Sequence, residues 1–112
     1  MIYHIATCAE WKAGQEGTMY TPAAFDADGF IHLSGLDQVV DVANRYFRGQ
    51  RGLVLVCVDP DAVEAPIRYE DLANQGQCYP HIYGKLNLDA VSEVIPFDPD
   101  PDGSFNKPSG LE

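Results

Sequence analysis

The chain reads as a single α+β domain, and three observations carry that reading. Leu36, Val39, Val40, Ala43, Tyr46 and Phe47 recur at the three-four spacing of an amphipathic helix. Leu53 to Val58 is an unbroken, β-branched apolar run, short enough for a strand covered on both faces. The three histidines sit in aromatic, strand-like segments: Tyr3-His4-Ile5, Phe30-Ile31-His32-Leu33-Ser34 and Tyr79-Pro80-His81-Ile82-Tyr83-Gly84. With 112 residues, 46% of them apolar, the chain is long enough for one core and too short for a second domain.

In order along the chain, Ile2 to Ala6 reads as a first strand. Thr7-Cys8-Ala9-Glu10 has the spacing of a capping box opening a helix that carries Trp11 and ends across Gly14 to Gly17. Thr18 to Asp28 shows no period, and Tyr20-Thr21-Pro22 forces extended or turning backbone, so this stretch reads as a loop. Gly29 to Leu33 reads as a short strand whose period of two places Phe30, His32 and Ser34 on one face. Ser34 is also positioned to cap the second helix, which ends at Gly49 to Gly52. Leu53 to Val58 then forms the centre of the sheet, Asp59-Pro60-Asp61 turns the chain, and Ile67 to Glu70 and Val91 to Phe97 read as further strands. The domain therefore spans residues 1–97. Residues 98–110 are acidic, rich in proline and glycine, and expected to be mobile unless they dock across an opening. Leu111-Glu112 resembles a vector remnant.

Charge narrows the partners. Seventeen acidic residues against seven basic ones give a net charge of -10, and no window concentrates lysine and arginine as a phosphate-backbone binder requires. Nucleic acid is not expected as a partner. Arg45, Arg48 and Arg51 read as a solvated helix end facing its own dipole. Cys8, Cys57 and Cys78 are odd in number and lack C-x-x-C spacing, which fits reduced thiols. The first residues carry neither a basic region nor a long apolar stretch, so a cytoplasmic protein without membrane association is expected.

A histidine in a strand is most often a satisfied polar residue donating one ring proton to a carbonyl. Three of them, each flanked by large apolar groups, point instead to one semi-dry pocket if their strands lie side by side. One use of such a pocket is binding a polar ligand, with His4 and His32 as hydrogen-bonding groups, Ser34 as a hydroxyl, and Tyr20, Tyr79 or Tyr83 stacked on a flat ring. Gly84 allows close backbone approach or simply turns the chain. A second use is a zinc site of three imidazoles with an open position for water, for which no H-x-E-x-H or H-E-x-x-H element gives local support. A third is thiolate chemistry at Cys78 with His81 as base, disfavoured because residues three apart in an extended segment face opposite ways.

The ordered set Ile2-Tyr3-His4-Ile5, Tyr20-Thr21-Pro22, Gly29 to Ser34, Val42 to Phe47 and Tyr79 to Gly84 resembles the bacterial family catalogued as domain of unknown function 952. The resemblance covers residues 1 to about 97. It implies an ADP-ribosyltransferase-like fold: a split, bent, mixed β-sheet with two helices. It also makes NAD a candidate substrate, assigns no definite cofactor, and places His4 against a ribose and a later tyrosine on nicotinamide. Toxin-type members of that fold also use a glutamate to orient the ribose; Glu70 and Glu93 are available here, but neither lies in a matching motif. Arg45, Arg48, Arg51 and Arg68 match no arginine motif of the RNA 2'-phosphotransferases.

The expectation is thus a cleft for an NAD- or ADP-ribose-type ligand. His4, His32, Ser34 and His81 are the candidate catalytic residues, and Tyr20, Thr21, Tyr79, Tyr83 and Gly84 the candidate ligand contacts, with glycosyl transfer as the reaction class if the protein is an enzyme. The alternative is a non-catalytic interaction or sensor domain. A histidine-ligated zinc hydrolase ranks third.

Overall fold

The computed structural model describes residues 1–108 and Leu111. Three small antiparallel sheets and three helices make up the body. The central sheet has β5 (Leu53–Val58) between β1 (Ile2–Thr7) and β9 (Val91–Phe97). Because side chains alternate along a strand, β5 feeds two cores at once. Val56 and Val58 pack with Ile2, Tyr20, Ile31 and Ile82, whereas Leu53, Leu55 and Cys57 pack with Tyr3, Val39, Ala43 and Phe97. Burial on both sides explains the unbroken apolar run, and Cys57 serves as a small hydrophobe.

Thr7 caps α1 (Cys8–Ala13): its Oγ accepts from the Glu10 amide at 2.9 Å. Glu10 does not complete the reciprocal half of the box; its carboxylate accepts from the Ala23 amide at 3.1 Å, pinning the following segment to the helix. Gly14 ends α1 where a side chain has no room, since a Cβ there would lie 2.2 Å from the Thr21 carbonyl oxygen. The stretch read as an unstructured loop contains β3 (Met19–Tyr20), which joins β2 (Gln15–Glu16) and β8 (Leu86–Asn87) in a second sheet, and the short α2 (Phe25–Asp28). Two-residue strands carry no periodicity, so only their partners define them.

The third sheet orders β4 (Ile31–His32), β7 (Tyr79–Ile82) and β6 (Ile67–Glu70). It joins the first sheet through one bridge, in which the Tyr3 amide donates to the Ser34 carbonyl at 2.8 Å and the Ser34 amide to the Tyr3 carbonyl at 2.7 Å. Ser34 therefore stitches two sheets rather than capping a helix: α3 (Val39–Tyr46) starts after Gln38 without a side-chain cap. Gln38 instead accepts from the Gly35 amide and donates to the Cys78 carbonyl, tying the turn before α3 to β7. Helix α3 buries Val39 and Ala43, while Tyr46 turns outward.

Every strand pairing is antiparallel, so the sheet is divided but not mixed, and α2 adds a third helix to the expected two. The segment after residue 97 docks rather than projecting. Asn44 holds Phe105 at both its amide and its carbonyl, and Phe105 packs 4.9 Å from Phe97. Leu111 is buried in the same cluster, whereas residues 109, 110 and 112 lie outside the described residues. No helix among the described residues is long and apolar enough to cross a membrane.

Candidate functional site

Period-two alternation on the third sheet assembles one polar-aromatic face. His32 pairs with His81 across β4 and β7, Arg68 pairs with His81 across β6 and β7, and Glu70 pairs with Tyr79. Side chains of paired residues share a face, so His32, Tyr79, His81, Arg68 and Glu70 project together. The two imidazole centroids are 5.4 Å apart. Phe30 fills the space between them, stacked 4.4 Å from His81 and tilted 4.7 Å from His32.

This face forms one wall of an open cavity of about 650 Å³. Val42 and Tyr46 of α3, with Phe47 at its C-terminal end, form a second wall, Tyr3, His4 and Ile5 of β1 the floor with Ser34, and the exposed Leu72 and Gln75 stand among the rim residues. The volume and the mix of apolar wall with few polar groups suit a small-molecule ligand.

The histidines play different parts. His4 is buried, and both of its ring nitrogens are engaged: Nδ1 lies 2.8 Å from the His32 carbonyl and Nε2 lies 2.9 Å from the Tyr20 hydroxyl. A carbonyl only accepts, so Nδ1 carries the proton and Nε2 accepts from Tyr20. Burial pushes the His4 pKa below that of an ordinary imidazole, with the His32 carbonyl opposing, and the ring is neutral. His4 ties β1, β3 and β4 together and has no nitrogen left for a ribose or a metal. This corrects its expected role and removes the three-imidazole zinc reading; among the described residues no cluster is arranged to hold a metal ion.

His81 is as buried as His4 but faces the cavity. Its Nδ1 lies 3.0 Å from Glu70 Oε1, and the Tyr83 hydroxyl donates to the same oxygen at 2.6 Å. Those two donors hold the Glu70 carboxyl below its usual range, while the carboxylate raises the Tyr83 hydroxyl. Because Glu70 is an acceptor, His81 donates from Nδ1, and in the neutral ring this tautomer presents Nε2 as an acceptor, the arrangement of an oriented general base. His32 is largely exposed, with Nε2 3.0 Å from Asp28 Oδ2 at the end of α2. Ser34 is 4% exposed and lines the cavity, and its hydroxyl has no partner among the described residues. No sealed-off side-chain polar atom lacks a partner among those residues, so this hydroxyl opens to the cavity.

Several expected contacts stand elsewhere. Tyr20 is fully buried against Trp11 and His4, and Thr21 lines only a separate recess of about 70 Å³, so neither reaches the main cavity. Gly84 serves close packing, since a Cβ there would lie 2.8 Å from the Ala65 Cβ. Tyr79 lines the cavity, and Tyr83 acts from beside it through Glu70, with the Arg68 guanidinium 4.8 Å over its ring. Cys78 is exposed and outside the cavity. Glu70 and Phe30 were absent from the expected site. Phe30 shares a face with His32 in its own segment, whereas Glu70 lies on a strand without a histidine and meets His81 only through the register of β6 and β7.

The model of the family described as "Protein of unknown function (DUF952)" matches residues 5–94. The chain belongs to this family. The crystal structure of protein CC0527 from Caulobacter crescentus is similar to this member of the DUF952 family: 35% identity over 94% of this chain and 92% of that one, with a TM-score of 0.82. The solution structure of CC0527 gives 34% identity, 94% and 90% coverage, and a TM-score of 0.71. No curated protein matches this DUF952 chain.

Proposed function

We propose that the cleft binds an NAD- or ADP-ribose-type ligand by its base–ribose end, on an ADP-ribosyltransferase-like scaffold, and that the chain acts on the glycosidic bond. The observation that carries this reading is the Glu70–His81 pair: an oriented imidazole whose free nitrogen faces a cavity walled by Phe30 and Tyr79. The aromatic wall stacks a flat base, Glu70 and Ser34 hold ribose hydroxyls, and His81 Nε2 removes a proton from the acceptor. The acceptor oxygen then bonds to the anomeric carbon while the glycosidic C–N bond breaks and its electron pair leaves with the base.

Calorimetric titration with NAD and with nicotinamide riboside tests the reading, with His32→Ala alongside. His32 bonds His4 only through its backbone carbonyl, so the alanine variant keeps that bond and the fold. Saturable heat that weakens in the variant is expected. No heat from either ligand at millimolar concentration overturns the reading.

A second reading, a non-catalytic protein-interaction or sensor domain, has its own support in the exposed Tyr46 and Leu72 on the cavity walls. It predicts that Tyr46→Ala abolishes partner capture while Glu70→Gln leaves it intact.

A further inference from the structure

We infer that the end of the ligand entering this cleft is phosphate-free and rich in hydrogen-bond donors, an uncharged or cationic aromatic N-glycoside. The inference rests on the ligand-binding reading above and narrows its chemistry.

The charged groups that line the cavity are acceptors, Glu70 and Glu10, while the hydroxyls of Tyr3, Ser34, Tyr46 and Tyr79 can donate or accept. Both protein donors to Glu70 meet its Oε1, and no described donor reaches Oε2. Glu10 also lines the cavity, and its one described bond, from the Ala23 amide, uses Oε2. With Nδ1 donating to Glu70, the neutral His81 ring offers Nε2 as an acceptor. Ser34 is more than nine-tenths buried as a residue, and its hydroxyl, without a partner among the described residues, adapts as donor or acceptor. Such a surface is complemented by hydroxyl or amino donors, and a buried acceptor left without a donor is costly.

Charge points the same way. No lysine or arginine is among the described residues lining the cavity, whereas two carboxylates are. The cations nearby are engaged outside it: Arg45 donates to Gln75 at 2.7 Å, and Arg68 lies over Tyr83. A phosphate inside would meet like charge without a counter-ion in a partly dry cavity, where such repulsion is strongest. A cationic ring instead gains from the carboxylates and from the faces of Phe30 and Tyr79. In an NAD-type ligand the pyrophosphate therefore stays outside the cleft.

The deciding experiment titrates the full chain, at constant ionic strength, with nicotinamide riboside and with nicotinamide mononucleotide, which differ by one phosphate. The riboside is expected to bind at least tenfold more tightly. Leu72→Lys, at a rim side chain well exposed to solvent, is expected to narrow that gap several-fold by supplying a cation. A mononucleotide that binds as tightly as the riboside, or NAD that binds while the riboside does not, overturns the inference and leaves the ligand reading standing. Failure of all three ligands overturns both.

Discussion

The Tyr20 hydroxyl donates to His4 Nε2 at 2.9 Å, 16 residues apart in the chain, inside a fully packed core. Its consequence is a division of labour: one histidine of the three is spent on architecture, and the proposed chemistry falls to the other two. Tyr20→Phe removes the donor and strands a buried acceptor. The expected cost is about 1–3 kcal/mol, a fall in Tm of roughly 5 °C or more, read by thermal denaturation. Ligand affinity is expected to change less than twofold, and an unchanged Tm refutes the lock.

The same residue makes stability depend on pH. Unfolded, the His4 ring titrates near about 6.5, whereas burial holds the folded ring neutral to lower pH. Between those values the unfolded chain binds a proton that the folded chain does not. Stability therefore falls as pH drops below about 6.5, with a slope from this group approaching about 1.4 kcal/mol per pH unit, until the folded-state value is passed. Urea unfolding of the wild type and His4→Phe between pH 7.5 and pH 5 reads the difference. Parallel pH profiles would show that His4 contributes none of it.

Glu70→Gln keeps the shape of the side chain and removes its charge. Both donors, from His81 and Tyr83, lose their charged acceptor, and Nδ1 no longer has a carboxylate to fix the ring's tautomer. Affinity for nicotinamide riboside is expected to fall at least tenfold, with the unfolding midpoint unchanged within error. A variant that binds like the wild type removes Glu70 from the site.

How much of this was legible follows from where the information lies. Strand β5 and helix α3 declare themselves through composition and period, because burial on both faces of one and on a stripe of the other is a local property of the sequence. The pairs Arg68/Glu70 and Tyr79/His81 were legible as residues sharing a strand face. What joins Glu70 to His81 is an antiparallel register set by the whole hairpin, which no local pattern encodes. His4 shows the reverse case: its strand was evident, but its partner Tyr20 sits on a two-residue strand with no period to detect.

The segment beyond residue 97 shows how composition misleads. It is acidic and rich in proline and glycine, yet Phe105 anchors it, with Leu111 in the same cluster and the Gly49 amide donating to the Gly103 carbonyl. Phe105 is 1% exposed, its ring tilted against that of Phe97, with its amide donating to Asn44 Oδ1 at 2.7 Å and its carbonyl accepting from Asn44 Nδ2 at 3.1 Å. Burial of one ring offsets the entropy of ordering a short, proline-stiffened segment. Phe105→Ala opens a void beside Val39, Ala43 and Leu55, and truncations of this kind cost about 3–5 kcal/mol. Limited proteolysis separates docking from mere compaction: the variant is expected to be cut between residues 98 and 108 under conditions where the wild type resists. Equal cleavage of both proteins would mean that the segment is not held by Phe105. Since α3 carries Asn44 on one side and the cavity residues Val42 and Tyr46 on others, loss of this anchor is also expected to weaken riboside binding through the helix's position.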